Sequence, residues 1–371
     1  IQNSFIKKAT QGFQRAKIAK KFHNTAVSLN FVPKIQDYKM KHRKLTRYLI
    51  SLVMILMMVG LAEWTDEKEI LFPALIIGLL IIDKRVWNVK RWQIILLMTL
   101  GAAVGICIVR YSPLPYVVNL CAAFAFAGAS LLISRATLIP LISACVLPVL
   151  LHTESIVYPI AVFSMSVSVV LVQIILEKCG IRNRMPKTVG RKPGKEDIIR
   201  WLILFCFVGA LAELAVGMDY PYIILPPLMV TFVEMVNSKA GFRNRPTQVF
   251  LFLTTAATLG TVLQIVGHHH LHLPESIVAL TITAILFLIF EWTGKYFAPA
   301  GALAFIPMLL PKENLGWLPL EASIGAALFI TIAMVVFQKC YKWNRAQLIF
   351  CATPTLLREY MNRKKRKKQI E

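Results

Sequence analysis

The chain of 371 residues carries a formal net charge of +23 at pH 7, yet only 16% of its residues are charged and 57% are hydrophobic. Soluble domains contain about 25% charged residues, so this composition excludes an ordinary soluble protein and predicts a membrane protein. The excess of positive charge is typical of cytoplasmic loops beside anionic lipid. It does not indicate nucleic-acid binding, because the basic residues occupy short loops and tails that contain no nucleic-acid-reading motif.

Residues 1–44 predict a basic amphipathic leader on the cytoplasmic side. Phe5, Ala9, Phe13 and Ala16 recur at helical spacing, and lysine and arginine residues fill the positions between them. A helix of this kind lies on an anionic membrane surface and does not cross the membrane. A partly disordered basic leader that only sets the topology is the alternative that the sequence leaves open.

Residues 45–177 contain six apolar runs, four long and two short. These runs are Leu45–Ala62, Ile70–Ile82, Trp92–Val109, Pro115–Ile133, Leu138–Leu151 and Ile156–Leu176. A run of about 17 to 25 apolar residues is long enough to cross the membrane as a helix. The basic ends of all six runs fall on the cytoplasmic side if both short runs also cross, so we predict six membrane segments here.

A basic linker at residues 178–197 separates this part from a second membrane region at residues 198–341. The second region has its own six runs, Trp201–Val216, Tyr222–Val236, Thr247–Val266, Pro274–Trp292, Phe297–Leu310 and Leu318–Gln338. An even number of crossings gives both regions the same orientation. Residues 342–371 then form a basic cytoplasmic tail, and we expect a multi-pass protein of the plasma membrane with both termini in the cytoplasm.

Prolines indicate that the second region is a copy of the first. Three prolines in each region are separated by the same displacement, pairing Pro115 with Pro274, Pro140 with Pro299 and Pro148 with Pro307. Leu61-Ala62-Glu63 likewise matches Leu211-Ala212-Glu213. The predicted fold class is therefore an all-α polytopic membrane protein of two parallel repeats, each with about six transmembrane or short membrane helices, related by an axis along the membrane normal.

The second region resembles the HPP family of integral membrane proteins. The resemblance rests on Ala298-Pro299-Ala300-Gly301-Ala302-Leu303-Ala304, on Met308-Leu309-Leu310-Pro311 and on Trp317-Leu318-Pro319, with Phe297-Ala298-Pro299 standing where the family has His-Pro-Pro. Some members of that family are implicated in nitrite movement, so the resemblance implies transport of a small anion. A weaker resemblance is to the fusaric-acid and aromatic-acid exporter group, which also has short spans and a related repeat.

Short, proline-led membrane segments at matching positions are the best sequence indication of a translocation site, because irregular backbone is tolerated only against protein or a watery cavity. Free amide groups at the starts of such helices can hold an anion. The candidate substrate-binding residues are Pro73, Pro140, Pro226, Pro227, Pro299, Ala300 and Gly301, together with Glu234. The alternative is that these prolines start short packing helices and the small residues only allow close approach.

Glu234 is the acid that lies well inside a predicted span, where a charge costs at least about 2.5 kcal/mol unless it is neutralised or faces a polar cavity. It is the first candidate for proton coupling. Glu63 and Glu213 occupy matching positions near the outer interface and are further candidates; boundary residues solvated by headgroups are the alternative for both.

The remaining polar clusters predict surface roles. Lipid attachment is expected of Arg363, Lys364, Lys365, Arg366, Lys367 and Lys368, with a solvated tail as the alternative. His268, His269, His270 and His272 predict an interfacial loop that senses pH rather than a metal site, because a turn lacks helical ligand spacing. No catalytic motif is present, so we expect no enzyme, no cofactor and no bound metal.

Two functions from different classes follow from the sequence. The first is a permease-like protein that moves a small anion or organic acid, coupled to protons through Glu234. The second is a non-transporting scaffold or regulatory subunit that binds lipid or a partner protein. Anionic lipid is an expected partner in both, and a homo-oligomer or a membrane partner protein stays open.

Overall fold

The computed structural model of the chain describes residues 43–64, 87–182, 192–237 and 245–341. The regular elements in these ranges are all helices, as the apolar runs predict. The chain divides into two compact units, Ile1–Leu49 and Ile50–Glu371. Of the first unit the structure describes residues 43–49, which are helical, and the Arg47 side chain there donates to the Arg43 carbonyl oxygen.

Eleven α-helices lie in the described ranges. They are α1 Arg43–Trp64, α2 Arg91–Tyr111, α3 Tyr116–Ser134, α4 Leu141–Leu151, α5 Val157–Lys178, α6 Lys195–Gly217, α7 Pro226–Asn237, α8 Pro246–Leu263, α9 Glu275–Thr293, α10 Ala298–Phe305 and α11 Leu318–Tyr341. The 3₁₀ helices Pro221–Ile224, Ile306–Leu309 and Lys312–Asn314 lie before α7, after α10 and before α11.

Eight helices of the described residues are long and apolar enough to cross a membrane, and the segments around α4, α7 and α10 are shorter. The predicted runs are confirmed as helices except Ile70–Ile82, which lies outside the described residues together with residues 1–42 of the leader and the whole tail. One boundary differs from prediction. The histidine-rich segment is no turn, because Gln264–His270 continues α8 as a π-helical segment.

The long helices present large apolar side chains outward. Leu171, Leu251 and Leu288 are among those exposed, with 70% of Leu288 accessible. Exposed tryptophans lie at helix ends, at positions Trp64, Trp92, Trp292 and Trp317. Aromatic side chains at the ends of apolar helices are typical of membrane–water interfaces, so this exterior suits a lipid environment.

Two groups of four helices make similar contacts. Helix α2 packs against α3, α4 and α5, and helix α8 packs against α9, α10 and α11. Both crossings with the short helix depend on a glycine. A Cβ atom added at Gly105 would lie 2.5 Å from the Cys145 carbonyl oxygen, and one added at Gly260 would lie 2.1 Å from the Ala304 carbonyl oxygen. Only glycine allows the two backbones to approach so closely.

Helix α1 contacts the α8–α11 group, and helix α6 contacts the α2–α5 group. Helix α6 packs on α3, where the Trp201 ring covers Gly128 and Gly209 faces the Cys121 sulfur atom. Helix α1 reaches the start of α9, where the Glu63 carboxylate accepts hydrogen bonds from the amides of Glu275 and Ser276. The first long helix of each membrane region therefore contacts the helix group of the other region.

The short helices lie inside the protein. Helix α7 contacts α4, α10 and α11, and all of its residues are buried except Asn237. Helices α4 and α10 are buried around nearly their whole circumference. Since the long helices cover them, the proline-led segments face protein and not lipid.

Candidate proton and anion site at the basic end

Polar contacts join helix ends that the charge pattern assigns to one side. Arg91 at the start of α2 pairs with Glu177 at the end of α5, and Lys295 after α9 bonds Gln248 in α8. The side chain of Arg200 in α6 reaches Asn237 at the end of α7. We call this side of the helix bundle the basic end; the starts of α4 and α10 also lie there, because α3 and α9 end there.

Glu234 lies one turn before the end of α7, near the basic end. Its side chain is buried, with 5% of the residue exposed. The Trp87 indole Nε1 donates to its Oε1 over 3.4 Å. Trp87 precedes α2, so the contact joins two segments that are far apart in sequence, and no sequence signal marked Trp87. The structure thus places a carboxyl group inside protein, on a short helix that contacts α4 and α10, with an indole donor beside it.

The starts of the three short helices differ in the hydrogen-bond acceptors of their first backbone amides. In α4 the amides of Leu141 and Ile142 donate to the carbonyl oxygens of Leu138 and Ile139. In α7 the two prolines have no amide hydrogen, and Leu228 and Met229 both donate to Leu225. The expectation of free amides behind Pro140, Pro226 and Pro227 therefore does not hold at the first positions of α4 or at the start of α7.

Helix α10 starts differently. The amides of Ala300 and Gly301 donate to no acceptor outside α10 within the described part of the chain, although both residues are buried. Pro299 occupies the second position of this helix. Amides at the start of a helix attract anions, so the start of α10 can hold an anion.

The two other proton-coupling candidates have different surroundings. The Glu63 carboxylate accepts hydrogen bonds from the first two amides of α9, each over 3.3 Å, and therefore caps that helix. Glu213 is exposed on α6, and its carboxylate has no hydrogen bond to any described residue. The structure brings neither of them to Glu234. Pro73 and Arg363, Lys364, Lys365, Arg366, Lys367 and Lys368 lie outside the described residues.

The histidines of the π-helical segment have local partners at the opposite end of the bundle. His268 Nδ1 lies 3.0 Å from the Leu273 carbonyl oxygen, and its Nε2 lies 3.6 Å from Glu275 Oε1. Gln264 donates to the same Glu275 oxygen over 3.4 Å. A search of the described residues finds no group of three or more ligating side chains that could hold a metal ion.

Comparison with models of known families, with curated proteins and with solved structures found no match. The class of the protein therefore comes from its own helices. Eight apolar helices of membrane-spanning length, apolar exteriors and interfacial tryptophans define an all-α polytopic membrane protein.

Proposed function

We propose that this protein is a permease that moves a small anion or organic acid across the membrane. The observation that carries the proposal is the buried carboxyl of Glu234, which lies on a short helix that contacts two other short helices and is itself enclosed by protein. An ionisable group inside a membrane protein is costly to bury, and its usual role is in a substrate or proton pathway.

A tandem duplication is part of the proposal, since repeats with short, broken helices at their interface are typical of transporters. Several structural features recur at the displacements that the sequence motifs define. Pro115 and Pro274 each precede a helix with similar ψ angles, 150° and 140°. The glycine contacts of Gly105 with Cys145 and of Gly260 with Ala304 also correspond. These pairs support a parallel repeat of about six segments in each half.

The proposed site lies at the basic end, where α7 ends and α10 begins. The helix start at Ala300 and Gly301 would hold the negative charge of the solute, because amides at a helix start attract anions. Glu234 would carry the coupled proton. A protonated carboxyl tolerates an anion beside it, whereas two adjacent negative charges repel, so loading of anion and proton would be linked.

The resemblance to the HPP family supports a nitrite-sized solute as the first substrate to test. Because no family model matches, this part of the proposal rests on the quoted motifs alone. The positive-inside rule supports an orientation with the basic end and both termini in the cytoplasm, in the plasma membrane.

The test is uptake of nitrite and of small carboxylates by proteoliposomes that contain the full chain, with and without a pH gradient. We expect gradient-driven uptake, and we expect Glu234→Gln to lower it at least tenfold because glutamine cannot release a proton. Glu213→Gln is the matched control, since it removes an exposed carboxylate from another span. If the intact protein moves none of these anions under any gradient, the permease assignment fails and the scaffold alternative is favoured.

A further inference from the structure

Two cationic side chains converge on one neutral oxygen atom at the basic end. Lys295 Nζ donates to Gln248 Oε1 over 2.6 Å, and Arg245 donates to the same oxygen over 3.4 Å. The two nitrogen atoms can be no farther apart than the sum of these distances. Neither cation forms an ion pair with a carboxylate in the described ranges.

The corresponding glutamine in the first half has a different role. Gln93 Oε1 accepts the Lys90 amide over 2.9 Å, and its Nε2 donates to the Ser134 carbonyl oxygen over 3.2 Å. Ala136 stands at the displacement that corresponds to Lys295. Gln93 therefore bonds two backbone groups, whereas Gln248 accepts hydrogen bonds from two cations. Since the first half folds in the same way without a cationic pair, the fold itself does not require the pair in the second half.

Like charges repel at this separation, and an amide oxygen carries no full charge to offset them. Each cation has further donors, because an ammonium group has three and a guanidinium group five. An oxyanion with several oxygens would engage both and remove the repulsion, and paired arginine and lysine donors are typical of phosphate sites. Glu291, the acid nearest in sequence to Lys295, accepts a hydrogen bond from the Tyr296 hydroxyl over 2.8 Å.

The depth of the pair in the membrane is indicated by Trp292, which is 89% exposed and lies three residues before Lys295. Exposed tryptophans at helix ends lie at headgroup level. From these observations we infer that Arg245 and Lys295, positioned by Gln248, form a binding site for a phosphate group. That group belongs either to an anionic lipid headgroup or to a free phosphate. The inference is independent of the transport proposal, because it does not involve Glu234 or the short helices.

The test uses the full chain and two sources of phosphate. In detergent, thermal unfolding is followed in inorganic phosphate and in chloride at equal ionic strength. In parallel, native mass spectrometry measures retention of phosphatidic acid against phosphatidylcholine. We expect stabilisation by phosphate, retention of phosphatidic acid, or both. A response to phosphatidic acid alone identifies a lipid site, and a response to inorganic phosphate alone identifies a site for a free anion.

Three variants locate the site. Lys295→Gln should weaken binding at least tenfold. Gln248→Glu should abolish it without lowering the unfolding temperature, because the new carboxylate takes the place of the bound anion between the two cations. Gln93→Glu is the matched control at the corresponding position and should leave binding unchanged. Absence of any phosphate response in the intact protein, or an equal response in Gln248→Glu, would overturn the inference. Neither result depends on whether the protein transports an anion.

Discussion

The helices α2–α5 and α8–α11 share their backbone packing but differ in their polar chemistry. In both groups the first helix contacts the short helix through a glycine. The helix before each short helix ends in a residue with left-handed backbone angles, Arg135 after α3 and Gly294 after α9. The polar groups are not shared. The first amides of α4 donate to carbonyl groups of the preceding turn, whereas those of Ala300 and Gly301 donate to no acceptor outside α10 in the described residues.

This difference shows which features packing requires and which it leaves free to vary. A glycine at a helix crossing is fixed by the space between two backbones. A buried carboxyl and a pair of cations contribute nothing to that packing and cost energy to retain. Because Glu234, the start of α10 and the cations Arg245 and Lys295 all belong to the second membrane region, we expect function to depend mainly on that region.

The largest expected effect concerns the two glycine crossings. Gly260→Ala should destabilise the protein by about 3 kcal/mol, because the added methyl group would overlap the Ala304 carbonyl oxygen and force the helices apart. Gly105→Ala should cost about 2 kcal/mol, since the space beside the Cys145 carbonyl oxygen is slightly larger. Unfolding in mixed micelles of mild detergent and dodecyl sulfate measures both.

Gly60→Ala is the control for these substitutions. No atom of the described residues outside the local helix backbone lies within 4 Å of a Cβ added at Gly60, so alanine there should be neutral or slightly stabilising. Equal costs for Gly60→Ala and Gly260→Ala would show that helix propensity, and not close approach, determines the cost at Gly260.

A smaller effect is expected at the left-handed residues that end α3 and α9. Arg135 has φ of 52° and Gly294 has φ of 65°. Side chains disfavour this region, so Gly294→Ala should cost about 1 kcal/mol, whereas Arg135→Gly should be neutral or stabilising. The same unfolding measurement checks this reciprocal pair. Destabilisation by Arg135→Gly larger than that by Gly294→Ala would indicate that the arginine side chain, and not the backbone, governs the α3 corner.

The smallest effect is expected at the contact between the end of α1 and the start of α9. Glu63→Ala removes the carboxylate that caps α9 and should cost about 0.5 kcal/mol. Glu213→Ala, at the matching position on α6, should leave stability unchanged because the Glu213 carboxylate caps no described helix. Amide hydrogen exchange of Glu275 and Ser276 should increase in Glu63→Ala alone; unchanged exchange there would contradict the capping role.

Much of the architecture follows from the sequence. The lengths of the apolar runs determine which segments can cross a membrane, and the prolines at Pro140, Pro226 and Pro299 mark the starts of the short helices because proline fits the first turn. The sequence predicts a turn at the histidine-rich segment, because the apolar run before it ends at Val266. It is helical instead, as a continuation of α8 with π-type geometry.

The site was only partly predictable. Glu234 could be found because an acid inside an apolar run stands out, but its partner Trp87 could not, since no pattern links residues so far apart in sequence. The same holds for Lys295 and Gln248. Amide use at the helix starts also escaped prediction, because the turn geometry before each proline decides whether the first amides find an acceptor.

The sequence by itself determined that this is an all-helical membrane protein, because hydrophobic length and charge at the helix ends are local properties that the lipid environment selects. Tertiary structure alone decided that the short helices lie inside, that Glu234 meets an indole group, and that two cations share one amide oxygen. The physical reason is that each of these depends on distances between segments remote in sequence, which are set only when the helices pack.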